Sequence, residues 1–308
     1  MPNVSATMVK TLREKTGVGM MDCKRALLET DGDVEAAVDW LRKKGIASAA
    51  KKSGRIASEG LIGIAINGGN GAIVEINAET DFVARNKVFQ GFVSKVAETA
   101  LGESGSGIEA LQQASLGKGK TIAETLTELV TTIGENLDLR REGVLRVEPG
   151  IVASYIHNAI ASNLGKIGVL VALESTGDTE KLGRLGNTLA MHIAAANPQS
   201  VTLDGLDADA LSREREILSE QARQSGKPEE IIAKMVEGRL RKYYEEVVLL
   251  EQTFVVDGET KVVDLIEEAA KDIGAPVRVA GFIRFMLGEG VERKESDFAS
   301  EVAAQLGN

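Results

Sequence analysis

The chain has 308 residues, 43% hydrophobic and 27% charged, an ordinary balance for a globular protein of two or more modules rather than one small core. Its 36 basic and 46 acidic residues leave a net charge of −10, and an acidic surface repels phosphate backbones, so direct nucleic-acid binding is not expected. The one cysteine, Cys23, excludes an intrachain disulfide and cannot supply a cysteine-based zinc site alone, and the longest apolar stretch, Ile167 to Leu173, is far too short to cross a bilayer.

Met1-Pro-Asn-Val-Ser5 shows no basic start followed by an apolar run, so no signal peptide is expected and the chain reads as cytosolic. Ser5 can cap a first helix carrying Met8, Val9 and Leu12 and ending near Thr16-Gly17. Met20, Cys23 and Leu27 recur at helical spacing in a second, closed by Asp31-Gly32. Asp33 can cap a third, where Val34, Ala37, Val38 and Leu41 fall at i, i+3, i+4 and i+7, with Gly45 as its expected stop. The three make a minimal bundle, followed by a Lys- and Ala-rich linker, Ile46 to Ser58, able to be helical. Lys43, Lys44, Lys51, Lys52 and Arg55 form the densest basic patch, too short and too free of aromatics to read nucleic acid.

The period then changes to that of strands. Ile62, Ile64 and Ile66 alternate with smaller residues, Gly68-Gly69-Asn70-Gly71 suits a hairpin turn, and Ala72 to Asn77 returns as a second strand. Ala78-Glu-Thr-Asp-Phe-Val-Ala84 follows, then a helical run through Phe89, Phe92 and Val96. A related order comes later: strands at Gly150 to His157 and Lys166 to Leu173, then a helix through Leu182, Leu189 and Ile193. The repetition predicts a duplicated α+β core with antiparallel strands. Further strands are expected near Thr253 to Val256 and Val277 to Phe285, with a helix through Val262, Leu265 and Ile266 between them. Two amphipathic helices, marked by Leu211, Ile217 and Leu218 and by Ile231 to Leu240, are joined by Ser225-Gly-Lys-Pro228 into an inserted hairpin. Val291 to Leu306 reads as a last short helix. The implied modules are 1–54, 55–149, 150–200 with 250–290, the insertion 201–249, and 291–308.

Chemistry-bearing motifs are scarce. His157 and His192 lie in different elements without metal-ligand spacing to Cys23, and a lone histidine is more often a hydrogen-bonded structural residue. Gly117-Lys-Gly-Lys-Thr121 resembles the tail of a P-loop, but Ala114 stands where the first glycine belongs and no strand leads in, so it reads as a loop before a helix. Thr80-Asp-Phe-Val83 is the most informative segment. Thr80 or Asp81 can cap the next helix, and Phe82 and Val83 can fill the core; an outward aromatic beside an acid also suits an interface anchor.

Several stretches together resemble the elongation factor Ts family. Thr16-Gly-Val-Gly-Met-Met-Asp-Cys-Lys-Arg-Ala-Leu27 is similar to its N-terminal signature and Glu75-Ile-Asn-Ala-Glu-Thr-Asp-Phe-Val83 to its central one. Ile133-Gly-Glu-Asn136, Tyr155-Ile-His157, Ala190 to Ala195, Ser225 to Pro228, Met235 to Arg239 and Gly281 to Phe285 follow in the family's order. The connection Asn158 to Gly165 is longer than the tight turn common in the family.

The resemblance implies a ubiquitin-associated-like three-helix domain, a duplicated core, a helical dimerisation insertion with a possible homodimer, and a C-terminal helix. It implies guanine-nucleotide exchange on elongation factor Tu, with no catalytic residue, cofactor or metal of the chain's own. Thr80, Asp81, Phe82 and Val83 match the segment assigned to displacing Mg²⁺ from Tu. Phe82 takes the role of a wedge, and Asp81 that of its polar partner. Arg13, Met20, Met21 and Lys24 match an N-terminal contact surface, and Ile133, Gly134 and His157 match core positions facing the partner. Two other classes compete: a binding adaptor without exchange activity, which has no need of Thr80–Val83, and an NTPase, which the broken P-loop pattern disfavours.

Overall fold

The computed structural model describes residues 4–16, 18–103, 105, 107–117 and 119–291; Gly17 and the helix expected beyond Val291 lie outside them. Helix α1 (Ala6–Thr16) begins where the Ser5 hydroxyl accepts the Met8 amide at 3.2 Å. Helix α2 (Met20–Glu29) is followed by Asp31 and Gly32 at φ 52° and 85°. The Asp33 carboxylate accepts the Glu35 and Ala36 amides and so starts α3 (Val34–Lys52). Val9, Leu12, Cys23, Ala26, Leu27, Ala37 and Leu41 form the bundle's own core.

Strands β1 (Glu59–Asn67) and β2 (Asn70–Ala78) pair in a hairpin with Asn67 opposite Asn70. Helices α4 (Lys87–Gly102), α5 (Ile108–Gln113) and α6 (Ile122–Ile133) precede β3 (Leu137–Arg146), which returns to pair with β2. Next come β4 (Gly150–His157), β5 (Leu164–Gly165) and β6 (Ile167–Glu174), then α7 (Thr179–Ala196). The inserted hairpin is α8 (Ala208–Arg223) and α9 (Glu229–Val247), and α10 (Val262–Ile273) leads into β7 (Arg278–Met286). The two antiparallel sheets have the orders β3-β2-β1-β5 and β4-β6-β7.

The duplication is visible in the pairing. In both sheets a helix-containing crossover brings a third strand back to the second strand of a hairpin. Both third strands also carry one extra residue: β3 slips between Glu75 and Ile76 of β2, and β7 between Ala172 and Leu173 of β6. Ile62, Ile64 and Ile73 of the first sheet meet Val152, Leu170 and Phe285 of the second. The opposite face of the first sheet, with Leu61, Val74 and Ile76, lies on Phe89, Val93 and Val96 of α4. Val169, Val171 and Leu173 likewise lie on Leu182, Leu189 and Ile193 of α7. Covered on both faces, β1 buries every position from Gly60 to Ala65, which is why the small residues between its isoleucines are also enclosed, while Ile66 at its end is exposed.

Three expectations are corrected. Helix α3 does not stop at Gly45. A Cβ there would lie 2.7 Å from the Thr131 hydroxyl, so the glycine is the point of close approach to α6, and Ala49 further along packs on the first-sheet core. The helix thus carries the bundle onto the core. Thr253–Val256 is not a strand. Thr253 makes one bridge to Lys261, and the chain then turns because the Asp257 carboxylate collects the Glu259 and Thr260 amides. The cap of α4 is neither Thr80 nor Asp81 but Asn86, for reasons that belong to the site. The long Asn158–Gly165 connection contributes β5, which crosses to the edge of β1 with Gly165 opposite Ile62. No helix among the described residues is long and apolar enough to cross a membrane.

Candidate functional site

After β2 the chain does not enter α4 directly. The Ala84, Arg85 and Asn86 amides donate to the Asp81, Phe82 and Val83 carbonyls, making a 3-10 turn over Val83–Arg85. Asn86 then accepts the Val88 and Phe89 amides at 2.8 and 3.4 Å, which gives α4 its cap. Below the turn, the buried Gln90 donates to the Ala84 carbonyl at 2.8 Å, and Val83 and Ala84 join the core around Phe89. Phe82 points the other way, with 74% of its surface exposed. Asp81, next to it in sequence, and Val88, in the first turn of α4, are exposed as well.

Two carboxylates fasten this turn to the loop after α6. Glu135 accepts both the backbone amide of Thr80 at 2.9 Å and its hydroxyl at 2.7 Å. Glu79 accepts the Asn136 amide at 2.6 Å and the Arg55 guanidinium at 3.4 Å. Asn136 in turn donates its side-chain amide to the Arg55 carbonyl at 2.8 Å. The exchange is reciprocal: each loop sends one side chain to the backbone of the other. Gly134 makes it possible by ending α6 in the left-handed region, at φ 91°. Nothing lies within 4 Å of a Cβ built there, so the backbone angle, not space, requires glycine.

The structure thus brings Thr80–Val83 together with Ile133 and Gly134, the former half-buried on the first-sheet core and the latter exposed. His157 is exposed at the end of β4, its Nδ1 3.2 Å from the Tyr155 hydroxyl. It is tied to the same end of the sheet through Lys166, which donates its amide to the His157 carbonyl and pairs with Glu59, opposite Ala78. Arg13 on α1 and Met20, Met21 and Lys24 on α2 are each exposed. Their bundle joins the loop region through α3, which lies on α6 with Arg42 paired to Glu124 at 2.8 Å.

The remaining motifs have structural explanations. His192 is fully buried, with Nε2 2.9 Å from Gln252 Oε1 and Nδ1 accepting the Val255 amide at 3.2 Å. Burial pushes its imidazole below the ordinary value, against the opposing pull of the Gln252 hydrogen bond. The glycine- and lysine-rich segment before Thr121 lies between two helices. Lys120 pairs there with Glu128 at 2.6 Å, and the Thr121 hydroxyl caps α6 in a capping box with Glu124. Among the described residues no group of three or more His, Cys, Asp or Glu side chains could hold a metal ion.

A family model described as Elongation factor TS matches residues 79–289. The chain is 62% identical over 308 residues to elongation factor Ts of Rhodospirillum rubrum, covering 99% of each chain. It is also 62% identical to elongation factor Ts of Rhodospirillum centenum, covering all of both chains. With that of Maricaulis maris it shares 57% over 311 aligned positions, covering 100% of this chain and 99% of the relative. The chain belongs to the elongation factor Ts family.

Proposed function

We propose, on the premise of that membership, that the chain is a guanine-nucleotide exchange factor for elongation factor Tu in translation elongation. It acts by association and has no catalytic residues of its own. Such a factor needs neither nucleophile nor nucleotide pocket. It must bind nucleotide-free Tu more tightly than GDP-bound Tu, and by linkage that ratio equals the factor by which it weakens GDP.

The observation that carries the reading is Phe82, a large apolar side chain left in solvent on a turn held by Thr80 before it and by the buried Val83 and Ala84 after it. A rigid, exposed aromatic loses little freedom when it enters a gap in a partner, which makes it an efficient anchor. Thr80, Asp81, Phe82 and Val83 are assigned to displacing Mg²⁺ from Tu, with Phe82 as wedge, Asp81 beside it, and Thr80 and Val83 holding the turn. Ile133, Gly134 and His157 flank that contact. Arg13, Met20, Met21 and Lys24 supply a second contact from the three-helix module, residues 1–54. The insertion, residues 201–249, is the proposed homodimer contact. The setting is the cytosol, without direct contact to nucleic acid or membrane.

The test is release of a fluorescent GDP from purified elongation factor Tu, with and without this protein. Marked acceleration is expected. Binding to Tu with an unchanged release rate would leave only an adaptor.

A further inference from the structure

We propose that Glu135 is a positioning residue for the Thr80–Val83 turn, holding Phe82 in its protruding pose before any partner arrives. The proposal rests on the reading of that turn as the exchange element and adds to it the device that makes the turn rigid. Glu135 is not aimed at a partner. Both its oxygens are engaged by Thr80, one by the amide at 2.9 Å and one by the hydroxyl at 2.7 Å. A carboxylate accepting two donors from one residue fixes direction as well as distance. Thr80 is otherwise the weak point of the turn, because the residues after it are secured by the 3-10 hydrogen bonds and by the burial of Val83 and Ala84. The link spans 55 positions of sequence, so no local preference of the chain can replace it.

The reciprocal bond from Glu79 to the Asn136 amide, at 2.6 Å, holds the second loop in turn. Glu135 is anchored there between the left-handed Gly134 and the buried Asn136. A turn held from both sides meets its ordering cost on folding rather than on docking. Without Glu135 the amide and hydroxyl of Thr80 lose their partner, the backbone before Phe82 gains freedom, and each docking event must order it again.

The experiment compares Glu135→Ala, Thr80→Val, their combination, Thr80→Ser and Phe82→Ala in the full chain. The readouts are fluorescent-GDP release from Tu and amide hydrogen exchange. Loss of a charge-assisted pair predicts about ten-fold slower stimulated release for Glu135→Ala and a smaller loss for Thr80→Val. The double variant should be no slower than Glu135→Ala, and Thr80→Ser, which keeps the hydroxyl, should lose clearly less than Thr80→Val. The Thr80 amide should exchange faster in Glu135→Ala while amides in α6 and β2 keep their protection, a pattern that general unfolding does not produce. If Glu135→Ala does not fold, Thr80→Val against Thr80→Ser decides, since only the former removes a bond to Glu135. Slow release with Phe82→Ala beside parental release with Glu135→Ala or Thr80→Val would overturn the positioning role alone. Losses that multiply in the double variant would overturn it too. Parental release with Phe82→Ala would instead remove the exchange role of the turn.

Discussion

Phe82 and Val83 are neighbours in sequence and opposites in environment: the phenylalanine is 74% exposed and the valine 4%. The 3-10 turn that starts between them rotates one side chain outward and drives the other into the core beside Phe89. A four-residue motif is thereby divided into a part that contacts and a part that holds.

Phe82→Ala is expected to leave thermal unfolding almost unchanged, because no core cavity is created. Loss of an interface anchor of about 2–4 kcal/mol corresponds to stimulated GDP release roughly thirty- to several-hundred-fold slower. Val83→Ala should do the reverse, costing about 2 kcal/mol of stability through lost burial and a small cavity. Melting curves and GDP release on both variants check the division. A large fall in melting temperature for Phe82→Ala, with normal exchange in what remains folded, removes the wedge.

Much of this architecture was legible in the sequence. Helical periodicity and side-chain caps at Ser5 and Asp33 located the bundle, and the glycine-rich turn located the first hairpin. Strand β3 was not read, because Asp138, Arg140, Arg141 and Glu142 break any apolar alternation. Its charges make sense only in three dimensions: the extra residue at the β2–β3 slip lets Arg140 and Arg141 both reach the fully buried Glu75. Thr253–Val256 misled for the converse reason. Its Phe254 is apolar because it packs on the His192 ring, not because it lies in a sheet. Within the site, Phe82 stood out as an aromatic at a strand end, whereas nothing near Glu135 announces a partner 55 positions away.

Glu75 is the test of that buried charge cluster. Besides the two arginines it accepts the Asn77 side chain and the Gly288 amide, tying the end of β7 to the first sheet. Glu75→Ala leaves two arginines without their shared partner and is expected to cost about 3–5 kcal/mol of folding free energy, the range for breaking a buried ion pair. Urea unfolding monitored by circular dichroism measures it. A loss below about 1 kcal/mol, the scale of a surface pair, would mean the cluster contributes only as one.

His192 gives a pH dependence with a definite sign. Its folded-state value lies below the ordinary 6.5 because burial penalises the charged ring, an effect the Gln252 hydrogen bond only partly offsets. The unfolded chain therefore binds a proton first as pH falls. Its contribution is present above about 6.5 and is lost progressively as pH falls from there toward the lower folded value. Between pH 7.5 and pH 5 this amounts to at most about 2 kcal/mol. In His192→Gln the difference in urea-unfolding free energy between those two pH values should shrink. An unchanged difference would show that the enclosed ring is not what responds.

The helical hairpin yields the last expectation. Helices α8 and α9 bury Ala222, Ile232, Val236 and Leu240 along their shared seam but leave Ile217 and Ile231 about half exposed. Apolar side chains outside a hairpin's own seam are available to a second copy. The hairpin is also detachable by construction. Its two ends are stitched together by bonds from the Gln199 amide to the Val247 carbonyl, at 2.8 Å, and from the Leu249 amide to the Ser200 carbonyl, at 2.9 Å. Removing Leu206 to Glu246 behind a short linker leaves that stitch and the α7 core intact, so the remainder should fold and stimulate GDP release. Its self-association should fall. Sedimentation equilibrium of the full chain and the shortened one makes the comparison, with Ile217→Asp and Ile231→Asp as point variants that keep the seam. If the full chain and all three variants contain the same number of copies per particle in solution while exchange is intact, the hairpin is not where two copies meet.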